Sequence, residues 1–143
     1  MANSKGVVRF HVLHPFSFTG KKRIKELISG LVAEEGKALT SLDYIFCSDE
    51  YLLEINQRYL KLDDLTDIIT FDLSDGNNPI IGEIYISVER VRDNSLLFNV
   101  PFNEELYRVI VHGVLHLCGY NDKMPSDQKL MRAKEDYYLS KLQ

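Results

Sequence analysis

The sequence has few of the residues that mark several large protein classes. Its 143 residues include two Cys, four Pro and eight Gly, which is too little for a disulfide framework or a collagen-like chain. The longest uncharged apolar stretch, from Val109 to Tyr120, contains two histidines and falls short of the ~18–20 residues of a membrane span. The N-terminus has no apolar segment of a secretory signal. We therefore expect a cytoplasmic protein without membrane or secretion partners.

Acidic residues are absent from residues 1–25, which contain six basic ones. The rest of the chain holds 11 basic and 21 acidic residues, and the net charge of the whole is −4. A negative total argues against a protein that coats nucleic acid by bulk electrostatics. The asymmetry leaves room for a local basic surface.

The composition is otherwise that of an ordinary globular protein, with 45% hydrophobic and 27% charged residues. The length suits one domain, and no Pro/Gly/Ser-rich linker divides it, so residues 1–143 are predicted to form a single domain. Hydrophobic periodicity and turn residues predict the element order β-α-β-α-β-β-α-α-α. This order indicates a mixed β-sheet of about four strands with helices packed on it, an α+β fold.

Turn and capping residues predict where these elements begin and end. Strands are expected over residues 7–13, 42–47, 67–73 and 80–86, with the last two forming an antiparallel hairpin. The helices are expected to begin after the N-caps Thr19, Ser48 and Ser87, at residues 101–103 and at Ser126. The helix after Ser48 is expected to reach about Leu60.

The residues that carry chemistry are concentrated between His112 and Asp122. Because His112 and His116 are four residues apart, a helix stacks them on one face, where both imidazoles can reach one metal ion. Gly119 can end the helix in a left-handed conformation, so that Asp122 can return as a third ligand. Two imidazoles, a carboxylate and an open position fit a catalytic zinc ion. Gly113 stands where zinc peptidases carry a glutamate base, which argues against peptidase chemistry.

These residues resemble the YbeY family of metal-dependent endoribonucleases. The segment from His112 to Tyr120 matches the fixed positions of its signature H-G-x-L-H-L-x-G-Y-D-H. Residues 55–59 (INQRY) resemble the family's L-N-x-x-Y/F element, residues 66–71 (TDIITF) its T-D-V-L-S-F strand, and residues 81–87 (IGEIYIS) its L-G-D-I-x-I-S strand.

The resemblance implies a zincin-like α+β fold and one Zn²⁺ per chain, held by His112, His116 and Asp122. It also implies a zinc-dependent endoribonuclease, specific for single-stranded RNA, that matures the 3′ end of 16S rRNA. The implied partners are ribosomal RNA and the small ribosomal subunit, in ribosome biogenesis and quality control. The resemblance does not assign a catalytic base.

Two departures from the family pattern matter. Asp122 replaces the third histidine, and its negative charge is expected to weaken the Lewis acid and raise the pKa of a bound water above the ~7 of a three-histidine site. Alternatively, Asn121 or a water molecule is the third ligand and Asp122 lies behind it. Leu60 replaces the basic residue after the tyrosine, and Arg58 lies nearly opposite it on a helix.

Several further hypotheses follow from these residues. The missing cation is expected to come from Lys21, Lys22, Arg23, Lys25 or Arg9, facing the metal cleft and contacting phosphates. Asp67 and Thr70 are candidates for lining that cleft, and a cation site at Asp63, Asp64 and Asp67 is less favoured than a solvated loop. Cys118 is expected to be a small buried residue and not a ligand. The alternative functions are a non-catalytic, metal-bearing ribosome-assembly factor and a zinc hydrolase acting on another substrate.

Overall fold

A computed structural model describes residues 6–60, 66–76 and 78–142. The elements follow the predicted order. They are β1 (Val7–Val12), α1 (Lys21–Glu34), β2 (Leu39–Cys47), α2 (Asp49–Ile55) with a π-helical extension (Asn56–Leu60), β3 (Ile68–Asp72), β4 (Ile80–Ser87), α3 (Val88–Phe98), α4 (Phe102–Leu117), α5 (Pro125–Leu139) and a 3₁₀ turn (Ser140–Leu142).

The four strands form one mixed sheet in the order β1-β2-β4-β3. β1 and β4 are parallel to β2, whereas β3 pairs with β4 in the predicted antiparallel hairpin. β1 and β3 therefore lie at opposite edges of the sheet.

The main core lies between one face of the sheet and the helices α1 and α4. Because side chains alternate along a strand, Leu42, Tyr44 and Phe46 of β2 all point into this core. The buried Tyr44 hydroxyl donates a hydrogen bond of 2.8 Å to the Ile110 carbonyl, which ties β2 to the middle of α4. A smaller cluster on the other face of the sheet includes Cys47 and Ile69 together with α2 residues.

Two of the predicted N-caps are confirmed. The hydroxyls of Ser48 and Ser87 accept hydrogen bonds from the backbone N–H groups of Tyr51 and Arg90. Thr19 is not an N-cap, because Gly20 takes the cap position of α1 in a left-handed conformation, while the Thr19 carbonyl accepts a hydrogen bond from Tyr107 on α4. The last helix begins one residue before Ser126, at Pro125, whose fixed φ suits a first helical position.

Replacing Ser48 with alanine is expected to destabilise the protein by about 1 kcal/mol, since the N–H of Tyr51 loses its acceptor. Chemical denaturation measures the change. Ser29→Ala is the matched control, because Ser29 is exposed inside α1 and should tolerate alanine without loss. Equal stability of the two variants would contradict the capping role.

Within the described ranges, no helix combines the length and the apolar character needed to cross a membrane.

Candidate metal centre

Helix α4 passes close to the sheet and turns its two histidines toward a cleft. Gly113 faces the sheet between them, and a Cβ atom there would come within 2.9 Å of Ile84 Cδ1 and 3.0 Å of Ile68 Cδ1. Gly82 of β4 likewise allows α4 to approach the sheet closely, since a Cβ atom added there would lie 2.7 Å from Leu117 Cδ1. These close approaches seat α4 on β3 and β4 and leave His112 and His116 half-buried.

The chain turns back immediately after α4. Gly119 adopts φ +109°, a conformation that favours glycine, and the Tyr120 N–H donates to the Leu115 carbonyl at 3.1 Å. This turn returns Asp122 to the histidine face, as the glycine position predicted. As a result, His112, His116 and Asp122 form a group of potential metal ligands.

The three side chains meet through one atom each. His112 Nε2 and His116 Nε2 are 3.0 Å apart, and each is 3.2 Å from Asp122 Oδ2. Tetrahedral zinc with bonds of ~2.0–2.1 Å places its ligand atoms about 3.3 Å from one another. The observed triangle is close to that size, so these residues fit a zinc ion.

The hydrogen bonds behind the imidazoles show which nitrogen carries the proton. His116 Nδ1 lies 2.9 Å from the Tyr120 carbonyl, which can only accept, so Nδ1 is the donor and Nε2 of the neutral ring holds a lone pair. His112 Nδ1 lies 2.6 Å from Glu135 Oε2 and donates in the same way. Three acceptor atoms therefore face one another, and a cation between them satisfies all three.

Glu135 of α5 orients His112 and is itself held in place. It is 4% exposed, and its second oxygen accepts a 2.9 Å bond from Arg108, which also donates to Asp136 at 2.7 Å. Burial disfavours the charged form of His112, but the hydrogen bond and the charges of Glu135 and Asp122 outweigh it and raise the pKa of His112. The centre is thus built for a positive charge.

Two cavities flank the centre and share Asp67, Ile68, His112 and Asp122. The Glu105 cavity, of about 440 Å³, lies between α4 and α5 and also contains Glu105, Arg108, Val109, Gln128, Met131, Arg132 and Glu135. The Thr70 cavity, of about 810 Å³, lies along β3 and also contains Asn56, Leu60, Thr66, Ile69, Thr70, Asp72, His116, Leu117 and Lys123. The candidate ligands therefore lie between two open cavities.

Asp67 and Thr70 both line the cleft, as predicted. Burial raises the pKa of Asp67, although the nearby His112 opposes this shift. The Thr70 hydroxyl is buried and has no hydrogen-bond partner within the described part of the chain. Asp63 and Asp64 lie outside the described residues.

The residue that replaces the family's basic side chain also lies in the cleft. Leu60, 45% exposed, lines the Thr70 cavity at the end of the π-helical extension, whereas Arg58 lines neither cavity. The helix reaches Leu60 as predicted, but its α-helical geometry ends at Ile55 and the last five residues are π-helical.

The hypothesis that the basic N-terminal residues face the metal cleft was wrong. Arg9 lies on the far edge strand and pairs with Asp43 at 2.7 Å, and Arg23 donates to the Leu142 carbonyl. Lys21 and Lys25 lie over the rings of Phe18 and Phe10. None of these four residues, nor Lys22, lines either cavity. Among the described residues, the basic side chains that line these two cavities are Arg108, Lys123 and Arg132.

Cys118 is not one of the grouped ligands. It is half-buried against the core, and burial together with the charge of Glu35 raises its pKa to about 11. Without a metal, the thiol therefore stays protonated at neutral pH. This agrees with the expectation for Cys118.

Sequence reasoning missed Glu135 and Glu105, the two buried glutamates of the cleft. A signal was available, because Glu135 lies on the buried stripe of α5 with Met131 and Tyr138, where an apolar residue is expected. An acid on such a stripe indicates a specific partner.

The fold and the centre together define a zincin-like, metal-dependent hydrolase. A family model described as Endoribonuclease YbeY matches residues 15–143. The chain belongs to this YbeY family.

Similar proteins agree with this assignment. An Endoribonuclease YbeY of Flavobacterium psychrophilum is 58% identical over 109 residues, which cover 76% of this chain and 77% of that protein. The Endoribonuclease YbeY of Flavobacterium johnsoniae is 48% identical over 130 residues, covering 91% and 93%. The solution structure of a Thermotoga maritima protein matches with a TM-score of 0.65 at 30% identity, over 92% of this chain and 86% of that one.

Proposed function

We propose that this protein is a zinc-dependent endoribonuclease that cleaves single-stranded RNA and matures the 3′ end of 16S rRNA. As a member of the YbeY family it is a hydrolytic endoribonuclease. The zinc ion, the ribosomal substrate, the small ribosomal subunit as partner and the cytoplasmic location are our extension of that membership. We also propose that residues 1–143 form a single domain.

The observation that carries the proposal is the group of acceptor atoms from His112, His116 and Asp122, which would hold one Zn²⁺ per chain. Bound zinc would supply a Lewis acid that activates water or polarises a phosphate oxygen. Glu135 and the Tyr120 carbonyl each accept a hydrogen bond from an imidazole Nδ1, which leaves Nε2 as the atom that faces the metal and fixes the orientation of both rings.

The shape of the cleft favours a polymer cut at an internal position. Because cavities lie on both sides of the candidate ligands, a strand can cross the centre and continue beyond it in both directions. Lys123 on one side and Arg132 on the other offer cations for phosphates, in place of the basic residue that Leu60 replaces.

The alternatives receive less support from the same geometry. A structural zinc site in an assembly factor would have a fourth protein ligand, whereas three ligand atoms meet within the described ranges and they lie in an open cleft. A peptidase would need a base beside His112, and Gly113 there faces Ile84 and Ile68.

The His116→Ala variant tests the proposal. We expect it to lose bound zinc and cleavage of single-stranded RNA, because one of three ligands is gone. Elemental analysis of protein purified without chelators and a cleavage assay on single-stranded RNA and on small-subunit precursor RNA are the measurements. His11→Ala is the control, since exposed His11 pairs with Asp43 and lies on β1, at the sheet edge opposite β3 and the candidate ligands. Equal cleavage by wild type and His116→Ala would refute the proposal, and iron in place of zinc would refute its metal.

A further inference from the structure

Glu105 is a buried carboxylate that the proposed reaction does not use. It is 7% exposed, lines the Glu105 cavity, and has no hydrogen bond to its carboxylate within the described residues. It stands seven residues before His112 on α4, two helical turns or about 10 Å from it. At this distance, Glu105 lies roughly one nucleotide away from the candidate metal ligands and is too far from them to bind the same ion.

The carboxylate oxygens of Glu105 are not among the buried polar atoms that lack a partner in the described part of the chain, so they reach the open cavity, where a ligand or water can donate to them. Burial and the nearby charge of Asp67 raise the pKa of Glu105, while Arg108 and Arg132 partly counteract this. Arg108 donates to Glu135 and Asp136. The cavity therefore presents a carboxylate acceptor for N–H or O–H groups beside the cation of Arg132.

The other walls of the cavity suit a flat, partly polar ring. Gln128 and Arg132 lie four residues apart on α5, on one helix face, and supply hydrogen-bond donors. Met131, Val109 and Ile68 supply apolar surface, and the volume of about 440 Å³ is that of a small-molecule pocket. A carboxylate beside donor groups and an apolar wall is a combination that recognises a nucleobase edge.

We propose that the Glu105 cavity binds a guanine base of the RNA, next to the phosphate that is cleaved. Guanine presents two adjacent donors, N1–H and the 2-amino group, which fit the two oxygens of one carboxylate, and beside them the acceptor O6, which fits Arg132 or Gln128. Adenine and cytosine offer a single amino donor next to a ring acceptor, and uracil a single N–H between two acceptors. The inference rests on the proposed RNA cleavage for its biological meaning, but the pocket binds the base whether or not cleavage follows.

Binding of mononucleotides to the zinc-loaded protein tests the pocket without RNA cleavage. GMP is expected to bind roughly 10- to 100-fold more tightly than AMP or inosine 5′-monophosphate, which lacks the 2-amino group. The phosphate is common to all three, so the differences report the base alone. Equal affinities, or no detectable GMP binding at millimolar concentration, would overturn the proposal.

Glu105→Gln is expected to abolish this preference, since an amide offers only one acceptor, while its zinc content stays that of the wild type. Glu104→Gln is the matched control, because it removes the same charge from an exposed neighbouring position outside the cavity. Short single-stranded RNAs that carry one guanine, or inosine in its place, should show the same preference in cleavage by the wild type. Retained preference in Glu105→Gln, or its loss in Glu104→Gln, would contradict the assignment. Guanine binding without RNA cleavage would refute the proposed function and leave the pocket standing.

Discussion

Replacing Glu135 with glutamine is expected to lower the affinity of the proposed centre for zinc by about 10- to 100-fold, because Glu135 contacts His112. Glu135 accepts from His112 Nδ1 at 2.6 Å and from Arg108 at 2.9 Å through separate oxygens. An amide of the same size has one oxygen and cannot accept both bonds. His112 then loses the partner that keeps its proton on Nδ1, so the ring no longer presents a fixed lone pair to the metal.

Competition with a chromophoric chelator measures this loss directly and requires no RNA. Asp136→Asn is the matched control, because Asp136 also accepts from Arg108 at 2.7 Å but has no contact with the histidines. Wild-type affinity in Glu135→Gln would show that the hydrogen bond does not position His112. A parallel loss in Asp136→Asn would mean that Arg108 is the residue that matters.

Gly113→Glu is expected to destabilise the fold by at least ~3 kcal/mol, or roughly 10 °C in melting temperature. This change creates the histidine-glutamate pattern of zinc peptidases in the sequence. In the structure, however, the new Cβ meets Ile84 Cδ1 at 2.9 Å, and Ile84 is fully buried. The carboxylate would be forced into the apolar contact between α4 and the sheet, and not into the cleft.

Gly30→Glu provides the comparison, since Gly30 is also inside a helix but has no atom within 4 Å of a Cβ added there. That variant should gain up to about 1 kcal/mol, because glutamate is the better helix former. Thermal unfolding of both variants separates the effect of packing from the effect of helix propensity. A melting temperature for Gly113→Glu close to that of the wild type would contradict the close approach of α4 to the sheet.

Local sequence signals predicted the elements and the candidate ligands because their causes are local. The spacing of His112 and His116, the glycine turn and the capping serines each involve residues a few positions apart, and the element order followed from periodicity. The same reasoning failed at Thr19, where a neighbouring glycine took the cap and the threonine carbonyl bound Tyr107 instead. Tertiary contact overrode a local preference there.

The partners of distant residues could not be predicted in this way. Glu135 reaches His112 across 23 positions, and only the packing of α5 on α4 brings them together. The basic N-terminal residues were assigned to the cleft on charge alone. The sheet order places β1 at the edge opposite β3, so Arg9 and the cleft belong to different sides of the domain. Charge predicts what a surface attracts, but topology decides where that surface lies.

The turn after α4 has a consequence for how long the protein survives in a cell. The Tyr120 carbonyl holds His116, while the Tyr120 hydroxyl donates at 2.7 Å to Glu35, which also accepts from Tyr138 and Lys134. The same few residues therefore join the centre to the end of α1 and to α5. A metal ion at a hundred times its dissociation constant adds about 2.7 kcal/mol to the stability of a protein that binds it only when folded. Metal supply would then govern resistance to proteolysis, and with it abundance, as well as turnover of substrate.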